Sequence, residues 1–240
     1  MKALIIIAFS LALYVCLSGC KKDEKPIIEK GTVTDMEGNV YETVKIGGHE
    51  WMIENLRTKH LSDEDELAYV YDGLEWQNTS VPAYTYYNNN EDYALTHGAL
   101  YNWYAVNTRK LCPDGWRVPT DDDWKKLEGK VDSNFGIGDA EWDKEDRRGF
   151  DAGLRLKSTT GWALDGSGTD MFEFSAHPSG FRATNGDFEG FEYVGQWWTS
   201  TEISEYQVYR RKIYHDDSRV GRYPTAKGNG YSVRCVRNIE

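Results

Sequence analysis

Cys112-Pro113-Asp114-Gly115-Trp116-Arg117-Val118-Pro119-Thr120-Asp121-Asp122-Asp123-Trp124 is the stretch on which the architecture turns. Two prolines and a glycine make its first half a rigid, non-helical lead-in. Thr120 then stands where a helix N-cap is needed, and Asp121, Asp122 and Asp123 fall in the first turn, where the helix dipole favours negative charge. Trp124 and Leu127 share a face by their i, i+3 spacing, with Val131 a turn further on, so one side of the predicted helix faces a core. Consecutive helical residues point in different directions. The three aspartates are therefore read as capping and dipole groups rather than as ligands of one ion.

Cys112, which opens the stretch, raises the question of what the other cysteines do. Cys16 and Cys20 belong to the N-terminus. There, Met1-Lys2-Ala3 is a short positive start, Leu4 to Leu17 is apolar, and Leu17-Ser18-Gly19-Cys20 is a small-residue cleavage site ending in cysteine. The apolar run is shorter than the ~20 residues needed to cross a bilayer. Residues 1–19 are thus expected to be a lipoprotein signal peptide, Cys20 the lipidated residue that holds the chain to outer-membrane lipid, and 20–30 a polar tether. Lys21-Lys22-Asp23-Glu24 is similar to the lysine-plus-acid tract that routes Bacteroidetes lipoproteins to the outer face of the outer membrane, so the expected location is the cell surface. An exported chain whose remaining cysteines are an even pair, Cys112 and Cys235, reads as carrying one disulfide. Free thiols acting as nucleophile or metal ligand are the alternative, although no histidine lies near either cysteine in sequence.

Charge narrows the partners. The formal net charge of −11 becomes more negative once Lys2 leaves with the leader. Such a surface repels phosphate backbones, so nucleic acid is not an expected partner. Residues 31–240 are read as one domain.

Outward from the central stretch, the pattern is mostly short strands. Gly31–Asp35 and Val40–Ile46 flank the turn Met36-Glu37-Gly38-Asn39. Gly47-Gly48 makes the next turn before His49–Ile53. Asp63-Glu64-Asp65-Glu66 reads as a solvated connecting loop, and Tyr84–Asn90 as a short strand ending in a polar turn. Leu154–Lys157 is a short ordered piece and Asp165–Asp170 a tight polar loop. Phe172–Ala176 and Gln196–Thr201 read as strands, while Val208–His215 and Tyr231–Arg237 are expected to close the domain as an antiparallel pair.

Seven blocks of this sequence, taken in order, resemble the Fibrobacter succinogenes major paralogous domain. They are Gly31–Asp35, Trp51–Leu56, Cys112–Thr120 with Trp124, Gly168–Asp170, Phe174–Ala176 with Pro178–Arg182, Trp197–Glu202 and Ser232–Arg237. That family is similar to the formylglycine-generating-enzyme and C-type-lectin-like folds. The resemblance implies an α+β domain with a small twisted antiparallel sheet, one or two helices and long irregular loops. It also implies an exported or surface protein.

Enzymatic motifs are missing from the residues themselves. There is no His-x-Glu metal motif, nucleophile elbow or phosphate-cradling glycine loop, and His49, His60, His97, His177 and His215 are dispersed singly. The oxidase relatives use a copper-holding cysteine pair, whereas Cys112 and Cys235 are assigned here to a disulfide. An exported enzyme of that superfamily is the alternative to a non-catalytic binding domain for polysaccharide or a surface protein partner. Nine tryptophans and sixteen tyrosines favour binding, since such rings stack on sugars and anchor partners. Trp51, Trp116, Trp124, Trp197 and Trp198 are assigned to the core. Trp76, Tyr84, Tyr86, Tyr87, Tyr101, Tyr104 and Trp142 are the candidates for a ligand surface. Asp165, Ser167, Asp170 and Glu173 could offer oxygens to a calcium ion, although a polar turn built on Gly166 and Gly168 explains the same residues.

Overall fold

A computed structural model describes residues 25–239. The signal peptide, Cys20 and the tract 21–24 lie outside the described residues. Thirteen strands follow one another as β1 (Lys30–Thr34), β2 (Val40–Ile46), β3 (His49–Met52), β4 (Ala68–Tyr69), β5 (Ala83–Thr85), β6 (Leu100–Tyr101), β7 (Asp146–Arg148), β8 (Ser179–Arg182), β9 (Phe188–Phe191), β10 (Val194–Glu202), β11 (Gln207–Tyr214), β12 (Val220–Ala226) and β13 (Val236–Asn238). Among the described residues five α-helices are interspersed: α1 (Gly73–Asn78), α2 (Ala94–His97), α3 (Trp103–Asn107), α4 (Asp121–Val131) and α5 (Ala152–Leu156). They form a four-stranded sheet β1-β2-β3-β13, a six-stranded sheet β7-β12-β11-β10-β8-β9 and a three-stranded sheet β4-β5-β6.

Local chemistry sets the first hairpin. The Asp35 carboxylate accepts from the backbone N–H of Glu37 and of Asn39, at 3.0 and 2.9 Å, and Gly38 supplies the left-handed residue of the turn at φ 83°. Residues 25–29, expected as free tether, already touch the domain. Lys25 pairs with Glu173, Glu29 pairs with Lys45, and Ile28 packs on the core.

Trp197 and Trp198, adjacent on β10, explain how two cores share one sheet. Successive strand residues point to opposite faces. Trp197 enters a cluster with Trp51, Trp124, Phe174 and Leu127, while Trp198 enters another with Tyr101, Trp116, Tyr231 and the two cysteines. Helix α4 covers the first of these clusters with Trp124, Leu127 and Val131, all fully buried. Its start is a capping box: Thr120 Oγ1 accepts from Asp123 N–H, and the Asp123 carboxylate accepts from Thr120 N–H.

The same helix carries buried charge. Asp121 and Glu128, seven residues and so two turns apart, both face the six-stranded sheet. Glu128 receives Arg148 of β7 at 2.5 Å and Arg211 of β11 at 2.6 Å, while Asp121 receives Arg222 of β12 and Arg211 at 2.8 and 2.7 Å. All five side chains are buried. Cys112 and Cys235 are joined, with Cα atoms 5.9 Å apart and a sequence separation of 123. Through this bond the segment before α4 is tied to the segment before β13.

Two strand expectations are corrected. Phe172–Ala176 is a loop, with Glu173 and Ser175 at φ 54° and 49°. Its backbone is used by side chains instead: Arg234 donates to the carbonyls of Phe174 and Ser175, and Asp170 accepts from Ser175 N–H. Val208–His215 and Tyr231–Arg237 do not pair with each other. The first lies between β10 and β12, and β13 pairs with β3 across the molecule. β12 carries Pro224, which breaks the usual strand signal in its sequence.

Candidate functional site

Most of the aromatic residues expected to form a ligand surface are interior. Trp76, Tyr84, Tyr86, Tyr87, Tyr101 and Trp142 are all buried, and only Tyr104 is partly exposed. Their polar ends are satisfied internally where the rings run deepest. Trp76 Nε1 donates to Gly228 O, Trp142 Nε1 to Gly136 O, and Tyr101 Oη to Thr58 O, at 2.9, 2.8 and 2.8 Å. These residues lie in loop-like sequence, but the short helices, turns and small sheet that carry them point the rings inward, so they do not form a binding surface. Trp51, Trp116, Trp124, Trp197 and Trp198 are buried as expected.

The proposed calcium oxygens do not converge. Asp165 and Ser167 line one hollow, Asp170 and Glu173 another. Glu173 is engaged by Lys25 and Lys30, and Asp170 by Ser175. In the hollow beside Asp165 an ammonium already takes the carbonyls: Lys157 Nζ donates to Tyr214, His215 and Asp217 oxygens at 3.1 to 3.3 Å. Among the described residues no group of three or more His, Cys, Asp or Glu is placed to hold a metal ion.

Two polar groupings escape sequence reasoning because their members are far apart in the chain. Asn55 Oδ1 accepts from Trp197 Nε1 and Arg234, while its Nδ2 donates to His97 O, Ser179 Oγ and Ser232 Oγ. His97 and His177, each apparently solitary, have ring centroids 6.1 Å apart. Burial, then the positive charges of Arg234 and His97, push the His177 imidazole down to about 4.

Two exposed regions could receive a ligand. One is a hollow of about 800 Å³ lined by Trp116, Arg117, Lys45, Glu50, Arg237 and Asn238. Its cations are already matched: Arg237 to Glu50, Arg117 to Asp123, Lys45 to Glu29. The other is the β7-β12-β11 part of the six-stranded sheet's face opposite α4; towards β10 the same face is buried in the Trp198 cluster. Register places Arg147, Gly221, Lys212 and Gln196 side by side across β7, β12, β11 and β10, all on this face. Gly221 has no side chain, and the Tyr223 ring lies over it; a Cβ there would sit 2.3 Å from that ring. The Tyr214 ring adjoins, with the Arg147 guanidinium 4.0 Å and the Lys212 ammonium 4.5 Å from its centroid, and the two phenols 3.3 Å apart. Tyr223 Oη donates to Asp146 at 2.6 Å, which fixes the ring. Two partly exposed aromatic rings are thus grouped with cations, Tyr214 with Arg147 and Lys212 and Tyr223 with Arg210, a grouping able to meet a ring-shaped ligand and to hold an anion beside it.

Around this platform the cations outnumber their carboxylates. Arg210 donates to neutral partners, Gln196 and Tyr231 Oη. Arg147 shares Asp217 with Arg219, and although burial raises that carboxyl, the two guanidiniums and the Arg219 N–H hold it down at about 2. Half-burial pushes the Lys212 ammonium down, with Arg210 and Arg147 acting in the same direction.

Fold and face together define a disulfide-tied domain of several small sheets with an aromatic and cationic platform on its outer side. The chain belongs to the Fibrobacter succinogenes major domain family, whose model matches residues 44–237. No curated protein and no solved structure matches it. No helix among the described residues is long and apolar enough to cross a membrane.

Proposed function

We propose that this protein is a cell-surface lipoprotein whose domain binds extracellular polysaccharide without catalysis, and that the platform of Tyr214 and Tyr223 is where it does so. The architecture is taken as an elaborated C-type-lectin-like fold, a frame that supports binding through surface segments. One observation carries the reading: the partly exposed rings of Tyr214 and Tyr223 meet at their hydroxyls, Tyr223 over Gly221 and Tyr214 against Arg147 and Lys212. Tyrosine is suited to this because it offers a rigid apolar ring and a polar tip at small entropic cost. Catalysis has less support, because the Cys112–Cys235 bond occupies both thiols of the domain. A surface protein is the second class of partner that such a face would fit.

The test is a panel of soluble plant and bacterial polysaccharides titrated against the full chain in non-ionic detergent. Binding to at least one polymer is expected, with a loss of about tenfold or more in the Tyr214→Ala/Tyr223→Ala double variant at unchanged melting temperature. Absence of binding across the panel would remove the polysaccharide assignment and favour a protein partner. Anchoring is tested separately: protease added to intact cells should digest the domain, and protection until lysis would refute surface exposure.

A further inference from the structure

The platform carries more positive charge than its own carboxylates neutralise, in a chain whose formal net charge is −11. Lys212 makes no ion pair with any carboxylate among the described residues, and its ammonium is half-buried against the Tyr214 ring. Arg210, two residues earlier on the same face of β11, is satisfied only by an amide oxygen and a phenol. Arg147 has Asp217, which it shares with Arg219. By contrast, each cation lining the hollow at Trp116 has a carboxylate of its own. Removing an ammonium from water without a counter-charge is unfavourable, and a ligand that supplies the missing anion recovers that cost on binding.

Resting on the polysaccharide reading above, we infer that the ligand of this face is an anionic polysaccharide, whose acidic groups meet Lys212 and Arg210 while its rings lie on Tyr214 and Tyr223. A neutral polymer would use the rings alone and leave the ammonium uncompensated. The Arg147 guanidinium and the Lys212 ammonium both lie against the Tyr214 ring, 4.0 and 4.5 Å from its centroid, so a single acidic sugar placed there is near both cations. The overall negative charge then acts as a filter. Long-range repulsion disfavours polyanions everywhere except where this cluster overrides it locally, which makes binding sensitive to salt and to position.

Polygalacturonate and its fully methyl-esterified form differ only in whether the carboxylate is free, so they separate the anion from the ring contacts. Isothermal titration of the full chain in non-ionic detergent should show tighter binding to the free acid by about tenfold or more, weakening as salt rises. A sulfated polymer run alongside distinguishes carboxylate from sulfate as the source of the charge. Lys212→Met should abolish the preference for the acid at unchanged melting temperature, and Lys212→Arg should keep it. Equal binding of ester and acid by the unaltered chain would overturn the anionic inference while leaving polysaccharide binding intact. No binding to the acid, ester, sulfated or any neutral polymer would overturn both. The comparison of ester with acid needs no variant, so it decides the matter even if a substitution at Lys212 unfolds the protein.

Discussion

Asn55 shows what a single buried amide can organise. With two donors and a carbonyl oxygen it joins the loop after β3 to α2, β8, β10 and the segment leading into β13. Gly98 makes this possible, since a Cβ at that position would lie 2.6 Å from Asn55 Cβ. Asn55→Ala leaves the indole N–H of Trp197 and part of the Arg234 guanidinium without acceptors in a buried site. A loss on the order of 3 kcal/mol is expected in urea unfolding. A loss below about 1 kcal/mol would mean that other groups or water replace the amide. Motif reading found the block Trp51–Leu56 but gave Asn55 no role, because its partners lie in parts of the sequence that only folding brings near.

His177 gives a residue-level pH dependence with a definite sign. Its folded pKa, about 4, lies below the unfolded value of 6.5. The unfolded chain therefore binds the proton first as pH falls. The stabilisation is present above pH 6.5 and is lost progressively towards pH 4. His97, also lowered by burial, acts in the same direction. Unfolding midpoints at pH 7.5 and 5 should differ less in His177→Asn than in the unaltered protein, and an unchanged difference would assign the acid sensitivity elsewhere.

At the level of elements, helix α4 is anchored to the sheet by two different kinds of interaction. Its cap is local and legible: Thr120 and the acidic first turn are visible in the sequence, and Thr120→Ala should cost about 1 kcal/mol. The ionic contact is not local. Glu128 sits 20 residues from Arg148 and 83 from Arg211, and nothing in the helical pattern separates it from a solvent-facing glutamate. Glu128→Ala strands the buried Arg148 guanidinium and leaves Arg211 with Asp121 alone, so a loss of about 3–5 kcal/mol is expected by chemical denaturation. If both variants lost the same amount, the buried charges would be better hydrated than their burial implies. Turn chemistry explains the strands that were legible, from Gly31 to Ile53. Phe172–Ala176 misled because its apolar alternation serves a loop, in which Phe174 fills the core while Arg234 and Asp170 take the backbone groups that a neighbouring strand would have used.

For the whole molecule, the disulfide is the longest covalent constraint. The loop it closes spans the second half of the domain, and Cys112→Ser/Cys235→Ser should lower stability by about 2–5 kcal/mol, with increased protease sensitivity. The same loss should follow reduction of the unaltered protein; resistance to both would show that the two cores alone hold the ends together.

Composition and short-range pattern were enough for the even cysteine pair, the capped amphipathic helix, the tryptophans of the core and the membership of a family. Each of these depends on residues close in sequence, or on residue types whose burial or pairing is nearly obligatory. Which aromatics stay outside depended on the packing of the assembled chain. Trp76 and Tyr101 look like loop residues until α1 and β6, which carry them, turn their rings inward, whereas Tyr214 and Tyr223, which look like ordinary strand residues, stay partly exposed. Register between distant strands then brings Arg147 and Lys212 to either side of Gly221. That juxtaposition has no counterpart in any local pattern, because side-chain direction on a strand is set by neighbours that hydrogen bonding supplies only after the sheet has formed.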